Sequence, residues 1–217
     1  MPKRDYVREI QEIKNRYLKR GHRWEQLNRR FDPLLGVLIC LSKVDEKDAE
    51  REIIRYVFIG LIACLEGYLR LVIKDLVDNS QDCRQNIGEL SEIKFDFKSV
   101  LAIHGKKVSI GEFVSHLVPL SSFDLINKNM SIITSVDFTS EIKNMDMENK
   151  KGEIKKMFPD TLAWVKKTFE SRNIYCHELA PKKETIKSLY RRAALCTIAI
   201  HEYTAATEVF IRQYLNE

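Results

Sequence analysis

The sequence predicts an all-α protein, in which long helices pack as a bundle and a long irregular segment is inserted between core helices. Its 217 residues, 44% hydrophobic and 31% charged, can bury one substantial core, so we predict a single domain over residues 1–217. Eight Gly and five Pro supply few of the turn signals that an all-β sandwich requires. Apolar residues also recur at helical spacing in several long segments, which can bury those faces only against one another.

The first predicted element is a basic amphipathic helix within residues 1–31. Its apolar residues recur in steps of three, four or seven, the spacing of one helical face. They are Tyr6, Ile10, Ile13, Tyr17, Trp24, Leu27 and Phe31. Because proline disfavours helical geometry in the residue before it, Asp32-Pro33 is expected to end the helix. The near-heptad spacing also suits a partner interface, which would make the protein a helical scaffold.

A second long helix is predicted from residues 45–48 to Val77. Acidic residues at its start suit the positive end of the helix dipole, and Asn79-Ser80 is expected to stop it. The most apolar stretch, Tyr56 to Leu65, has ten residues and is too short to cross a bilayer. We therefore predict a buried helix and no membrane association.

Residues 80–150 are predicted to be an insertion of uncertain structure. Phe95 to Phe97 and Ser131 to Phe138 alternate weakly between apolar and polar residues. Ser109 suits the N-cap of a short helix that continues to Leu117. No longer helical pattern is evident in this segment.

Helical periodicity returns after Lys150. One apolar stripe leads to Arg172 and predicts two helices divided at Pro159-Asp160; its positions are Ile154, Met157, Leu162, Val165 and Phe169. The last long helix is predicted from about Glu184 to Leu215. Its stripe comprises Ile186, Leu189, Ala193, Cys196, Ile200, Tyr203, Thr207, Phe210 and Tyr214.

The net charge of +5 is concentrated in two segments. Residues 1–30 hold ten Lys or Arg against four acids, and residues 166–192 hold eight against three. Such segments are either solvated helix faces or a nucleic-acid footprint. The five Cys are odd in number and form no C-x-x-C pair, and no targeting sequence is evident at the N-terminus. We therefore expect reduced thiols in a cytoplasmic protein.

The richest polar site is the segment from Ser171 to Pro181, in which Arg172 and Asn173 are followed by His177. This set suits attack of an RNA 2′-hydroxyl on the neighbouring phosphate. Histidine can move the proton near neutral pH, since its ordinary pKa is about 6.5. The guanidinium of arginine matches phosphate oxygens and stabilises charge that develops on them. Asn173 is a candidate for orienting the imidazole or the phosphate, and this chemistry requires no metal and no cofactor.

The spacing of these residues places them differently on a helix. Asn173 and His177, four residues apart, share a face, whereas Arg172 and His177, five apart, are offset by about 140°. Convergence of Arg172 with His177 therefore requires a helix end or a kink, which Pro181 is placed to impose. The other histidines, His104, His116 and His201, lack ligand spacing, so no metal site is expected.

The arrangement resembles the HEPN superfamily, helical-bundle proteins whose signature is Arg, a polar residue, and His four to six residues beyond the Arg, before the last core helix. Arg172, Asn173 and His177 fit this signature, and residues 58–69 look like the acidic helix common in the superfamily. The resemblance covers about residues 50–78 and 153–215. It implies a metal-independent endoribonuclease that forms a homodimer with a composite active site.

The resemblance also implies a biological setting, since members act in toxin–antitoxin, abortive-infection and CRISPR-linked systems. We therefore expect RNA as the substrate, a toxin or phage-defence role, and an antitoxin or regulatory protein as a partner. Some HEPN toxins carry a Tyr two residues after the His, which a partner enzyme modifies. This sequence has Leu179 there, so control by that route is not expected.

Other interpretations of the same residues remain open. Glu66 and Glu178 are candidates for supporting residues, and Arg172 is equally suited to a structural ion pair with Glu66, Glu170 or Glu178. The main alternative function is a non-catalytic HEPN-like module that binds RNA or protein, or dimerises. Intact Arg172 and His177 favour the enzyme.

Overall fold

The structure is a computed structural model that describes residues 8–12, 22–41, 46–90, 108–148, 152–177 and 184–216. Over these residues it is predominantly helical with one two-stranded sheet, so the all-α prediction is confirmed. Beyond a helical segment at residues 8–12 and a 3-10 helix at Ile87–Glu89, the elements are α1 (Arg23–Cys40), α2 (Lys47–Asn79), α3 (Gln81–Asn86), α4 (Ile110–Leu117), α5 (Phe123–Thr134), α6 (Phe138–Asn144), β1 (Met147–Glu148), β2 (Ile154–Lys155), α7 (Thr161–His177) and α8 (Ile186–Leu215).

Helix α2 is the centre of the fold, because apolar side chains occur on nearly every side of its 33 residues. Helices α1, α4, α7 and α8 all pack against it. The prediction of this helix is confirmed at both ends, with Glu46 as N-cap and Ser80 as C-cap. Its completely buried side chains include Ile54, Phe58, Leu61, Leu65, Leu69, Ile73 and Leu76.

The four long helices alternate in direction along the chain. Residues later in α1 and in α7 contact progressively earlier positions of α2, so both run antiparallel to it, whereas α8 runs parallel to it. For α1 the contacts with α2 are Arg23–Asp75 and Leu34–Gly60. For α7 they are Arg172–Glu66 and Tyr175–Phe58. For α8 they are Arg192–Phe58 and Glu208–Tyr68. The long helices therefore form an up-down-up-down bundle.

The N-terminal end of α1 differs from the sequence prediction. The helix begins at Arg23, after His22, whose backbone is not helical and whose imidazole accepts a hydrogen bond from the N–H of Trp24. A single continuous helix through residues 1–31 is therefore wrong. Ile10 of the helical segment at 8–12 is buried in a separate small cluster with Val108 and Phe113.

Helix α1 also continues through Pro33, so the predicted break at Asp32-Pro33 is wrong. Proline removes one backbone hydrogen bond and its ring crowds the preceding turn. Pro33 faces solvent, while Phe31 before it and Leu38 after it are buried in the core. Packing on both sides of the proline offsets the lost hydrogen bond, a balance that the local sequence does not reveal.

The irregular insertion predicted over residues 80–150 is wrong for the part that the structure describes. Helices α3 to α6 lie there, and each has an N-cap side chain that accepts a hydrogen bond from a backbone N–H three residues later. The caps are Ser80, Ser109, Ser122 and Asp137. The predicted helix from Ser109 is confirmed, with a complete capping box formed by Ser109 and Glu112.

These short helices belong to the main core rather than to an appendage. Phe138 at the start of α6 packs edge-on against Phe210 of α8, with ring centroids 5.5 Å apart. Phe123 of α5 packs in the same manner on Tyr203 of α8. The weakly alternating residues 131–138 are the end of α5 and its turn into α6, whereas residues 95–97 lie outside the described residues.

The segment before α7 forms a hairpin instead of the short helix predicted before Pro159. Strand β2 pairs antiparallel with β1, and Glu148 lies opposite Ile154. The ammonium of Lys155 lies 2.7 Å from the carboxylate of Glu202, a buried residue of α8, and this contact fixes the hairpin on the bundle. Both long helices predicted after Pro159 are confirmed, as α7 and α8.

Helix α2 is, among the described residues, the one helix long and apolar enough to cross a membrane, with a mean hydropathy of 1.8 over its most apolar 18 residues. This stretch is longer than the ten residues considered above because it includes charged positions. Of this stretch, 56% is buried inside the protein. A helix at the centre of a core is apolar for that reason alone, so its hydropathy agrees with its place in the bundle.

Gly111 of α4 lies close against α2, and replacing it by alanine is expected to destabilise the protein. A Cβ atom at Gly111 would lie 2.4 Å from the carbonyl oxygen of Lys74 and 2.7 Å from Oδ1 of Asp78. That carboxylate oxygen also accepts the hydrogen bond of the Gly111 N–H at 2.9 Å. Gly111→Ala should therefore lower the free energy of unfolding by about 1–3 kcal/mol in urea denaturation.

Gly88 provides the matched control, because no atom lies within 4 Å of a Cβ built there. Gly88→Ala should leave the urea midpoint close to that of the wild type. Equal midpoints for Gly111→Ala and the wild type would contradict the close packing of α4 on α2.

Candidate functional site

The three predicted site residues lie in the last two turns of α7. Asn173 and His177 are exposed and, four residues apart, share one face of the helix. Arg172 is half-buried on a neighbouring face, which is directed toward α2. The motif thus presents two polar side chains to solvent and anchors the third in the bundle.

Arg172 is held by two groups from other helices and loops. Its Nη2 lies 3.1 Å from Oε1 of Glu66 on α2 and donates to the carbonyl oxygen of Ser121 at 3.4 Å. An arginine side chain has five N–H donors in a planar fork. Nε and Nη1 of Arg172 have no hydrogen-bond partner among the described residues, so they can donate to an additional acceptor.

Arg172 and His177 do not converge within one chain. Helix α7 is regular as far as His177, its last residue, and no kink brings the imidazole toward the guanidinium. The predicted bend at Pro181 and the predicted supporting residue Glu178 both lie outside the described residues. The offset of about 140° expected for a spacing of five therefore applies to this single chain.

Glu66 was predicted as a supporting residue, and the structure places it beside Arg172. Burial raises the pKa of the Glu66 carboxyl above its ordinary value, and the positive charges of Arg172 and Arg70 oppose this shift. The effect of burial on the pKa of this carboxyl therefore exceeds the opposing effect of the two arginines. Glu66 holds Arg172 by an ion pair between α2 and α7.

The raised pKa of Glu66 predicts a pH-dependent difference between the wild type and Glu66→Gln. A carboxyl whose folded pKa is raised stabilises the fold at pH values below its unfolded pKa, and this contribution is lost as pH rises through the folded pKa. The free energy of unfolding of the wild type, relative to Glu66→Gln, should therefore fall as pH rises from about the ordinary value of 4.5. Urea denaturation at several pH values checks this; a rising difference would contradict it.

Sequence reasoning missed a cluster of cationic and aromatic side chains around Tyr175. Arg192 of α8 donates a hydrogen bond to the Tyr175 hydroxyl, and the guanidinium of Arg55 on α2 lies 5.5 Å from the centroid of the Tyr175 ring. Tyr175 also packs on Phe58, with centroids 5.5 Å apart. Burial raises the pKa of the Tyr175 hydroxyl, and the charge of Arg192 opposes that shift. Because the cluster joins α2, α7 and α8, no spacing within one segment indicates it.

The two basic segments have different environments. In the first, Arg23 is buried and forms ion pairs with Asp75 and Glu208, so this arginine is structural. In the second, Lys167 pairs with its neighbour Glu170, while Arg191 is exposed and forms no ion pair with any described side chain. Exposed arginines thus occur in the described parts of both segments, at Arg29 and Arg30 in the first and at Arg191 in the second.

Two of the remaining candidates, the exposed His201 and the half-buried Trp164, contact core residues, whereas His104 lies outside the described residues. His201 packs near the rings of Trp24 and Phe31, and burial lowers its pKa. Trp164 packs partly buried against the main core. Within the described residues, no group of three or more His, Cys, Asp or Glu side chains has the arrangement of a metal site.

Comparison with known proteins identified no relatives. No protein-family model matches the chain, and neither a curated protein nor a solved structure shows significant similarity to it. Inferences about activity therefore depend on the arrangement of the residues described above.

Proposed function

We propose that this protein is a metal-independent endoribonuclease, a HEPN-like enzyme whose active site contains Arg172, Asn173 and His177. The observation that carries the proposal is the state of these side chains at the end of α7. Arg172 is anchored by Glu66 yet has further N–H donors without a partner in the described ranges, and Asn173 and His177 near it are exposed on one face. A phosphate could accept hydrogen bonds from this arginine while the exposed imidazole moves a proton.

The proposed reaction is an internal transfer at one RNA phosphate. His177 accepts the proton of the 2′-hydroxyl as its oxygen attacks the adjacent phosphorus, and the bond from phosphorus to the 5′-oxygen breaks. The products are a 2′,3′-cyclic phosphate and a 5′-hydroxyl, whose oxygen takes up a proton. Arg172 stabilises the charge that develops on the phosphate oxygens, and Asn173 orients the imidazole or the phosphate.

A homodimer would complete this site. Within one chain the helical offset separates Arg172 from His177, so a second motif facing the first would supply the missing group to each phosphate. The exposed positions of Asn173 and His177 are compatible with such an arrangement. RNA is then the substrate, and an enzyme that cleaves cellular RNA fits a cytoplasmic toxin or phage-defence effector under the control of an antitoxin or regulatory protein.

One observation favours a second candidate, a non-catalytic HEPN-like module that binds RNA or protein. Arg172 already has a carboxylate partner in Glu66 and a carbonyl partner in Ser121. These contacts are those of a structural residue that links α7 to α2. In that case His177 would be an exposed surface histidine without a chemical role.

The test is cleavage of a mixed RNA pool in the presence of EDTA by the wild type, Arg172→Ala and His177→Ala. The wild type should produce fragments that end in 2′,3′-cyclic phosphate, and both variants should lose this activity while retaining the helical circular dichroism spectrum. Equal cleavage by all three proteins would overturn the assignment of the site. No cleavage by the folded wild type, together with RNA binding, would favour the non-catalytic module.

A further inference from the structure

A groove of about 470 Å³ lies between α7 and the first half of α8. Its floor includes Trp164, Ala163 and Leu195, of which Ala163 is exposed and the other two are half-buried. The volume is within the range of sites that hold small ligands of roughly 300–1,000 Å³. The half-buried Trp164 thus lines a volume large enough for one flat ring system.

The rim of the groove is positively charged. Lys167, Arg191 and Arg192 line it together with the carboxylate of Glu184; Arg192 pairs with Glu184, and Lys167 pairs with Glu170 beside the groove. Arg191 is exposed, and its guanidinium forms no ion pair with a side chain in the described ranges. An anionic group would therefore find at least one cation that has no ion pair with a carboxylate of the described residues.

Arg192 has a further unsatisfied donor. Its guanidinium pairs with Glu184 and donates to Tyr175, whereas its Nε is buried and has no hydrogen-bond partner among the described groups. Glu184 in turn accepts a hydrogen bond of 2.8 Å from the hydroxyl of Ser188. Arg192 is therefore bound to groups of the protein itself, and its buried Nε is not open to the groove, so an anion there would be contacted by the other cations of the rim.

An aromatic side chain beside basic side chains is the combination by which proteins bind single-stranded nucleic acids. Bases stack on the aromatic ring, and Lys or Arg contacts the phosphates. An acidic peptide could satisfy the cations but would leave the face of Trp164 without a stacking partner. The composition of the groove therefore favours a nucleoside phosphate over a carboxylate-rich peptide.

The groove is displaced from the proposed catalytic residues along the same helix. Lys167 precedes His177 by ten residues, which corresponds to about 15 Å along α7. Arg192 connects the two regions, because it lines the groove and also contacts Tyr175 in the last turn before His177. One nucleotide cannot occupy both places, whereas an oligonucleotide can.

We propose that this groove is the RNA subsite of the enzyme, in which one base of single-stranded RNA stacks on Trp164 while Arg191 and Lys167 contact its phosphates. The assignment rests on the proposed ribonuclease function, since it names where the substrate is held away from the scissile phosphate. It adds Arg191 and Trp164 as binding residues that take no part in the chemistry.

The test measures RNA binding without cleavage, in the His177→Ala background. The chain has two tryptophans, so Trp24→Phe makes Trp164 the sole fluorescent reporter. An oligouridylate should quench this fluorescence by stacking. Anisotropy of a fluorescein-labelled oligouridylate with Trp24 retained gives the same comparison if Trp24→Phe fails to fold.

Two groove variants and one control decide the outcome. Arg191→Glu introduces repulsion, and Ala163→Phe fills the groove from an exposed position; each should weaken binding about tenfold or more. Lys143→Glu makes the same change of net charge at an exposed position of α6 and should weaken binding much less. Equal losses for Arg191→Glu and Lys143→Glu would overturn the groove as a specific site.

Further outcomes separate this proposal from the proposed function. Loss of binding in the groove variants, with a wild type that never cleaves RNA, would support the groove and overturn the ribonuclease. Cleavage that depends on His177, with RNA binding unchanged by Arg191→Glu and Ala163→Phe, would support the ribonuclease and overturn the groove as its RNA subsite. Poly-glutamate that displaces RNA from the groove at comparable concentration would overturn RNA in favour of an acidic protein partner.

Discussion

Alanine in place of His177 is expected to reduce the rate of RNA cleavage by a factor of about 10² to 10⁴, the range that a positioned general acid or base contributes. Arg172 and its anchor Glu66 remain in this variant, so phosphate binding should persist while proton transfer is lost. The expected pattern is a decrease in kcat much larger than any change in KM. Initial rates of cleavage of a defined single-stranded RNA, measured at RNA concentrations below and above KM, provide the comparison.

Cys176→Ala is the matched control for His177→Ala. Cys176 is the preceding residue, is also exposed in the last turn of α7, and carries a free thiol at a position that the motif leaves variable. The control should retain cleavage within a few-fold of the wild type, and both variants should show wild-type urea midpoints because neither side chain is buried. A comparable loss in Cys176→Ala would indicate that the helix end, rather than the imidazole, matters for activity.

Replacement of Arg23 by methionine is expected to have the largest effect on stability. The Arg23 side chain is only 2% exposed and lies 3.0 Å from Asp75 and 2.9 Å from Glu208. Removing the guanidinium leaves these carboxylates without their shared partner in a site of low polarity, which typically costs about 3–5 kcal/mol. We expect the free energy of unfolding to fall by about 3 kcal/mol, the lower end of this range, because Arg212 also pairs with Glu208.

The hydrogen bonds around Glu208 explain why the loss of Arg23 is expected to destabilise the fold. Tyr68 of α2 donates a hydrogen bond of 2.9 Å to the same carboxylate. Burial and the charge of Glu208 raise the pKa of the Tyr68 hydroxyl well above its ordinary value, so this hydroxyl stays protonated and continues to donate. Arg23 therefore links the start of α1 to both α2 and α8 at one buried point.

Urea denaturation of Arg23→Met and of Arg8→Met measures the effect against a control. Arg8 forms an ion pair with Glu12 at 3.0 Å, but both side chains are largely exposed, so its loss should be barely measurable. A shift of the urea midpoint as small for Arg23→Met as for Arg8→Met would show that the buried network contributes little. A changed slope of the transition would indicate loss of two-state unfolding instead.

The long helices were predictable because their signals are local. Apolar residues at steps of three and four, acidic residues before α2, and Ser80 after it indicate one helix with its two ends. The same applies to α8, where the predicted stripe includes buried Leu189, Ala193 and Ile200. Each of these patterns arises within one segment and requires no knowledge of what packs against it.

The short helices between α2 and α7 were largely missed for the opposite reason. Their caps, such as Ser122 and Asp137, are single residues that occur equally in loops, and helices of 6–12 residues contain too few turns for a clear stripe. Contacts such as Phe138 with Phe210 stabilise them, and these contacts join distant segments. The continuation of α1 through Pro33 has the same origin in packing on α2.

The sequence by itself determined that this protein is all-α, where its long central and C-terminal helices lie, and which residues near the end of α7 combine an arginine, an amide and an imidazole. Only the tertiary structure decided that Glu66 holds Arg172 and that a basic groove lies between α7 and α8. The same is true of the contacts that Arg55 and Arg192 make with Tyr175. The physical reason is that helix formation depends on neighbours in the chain, whereas ion pairs and grooves depend on which helices pack together.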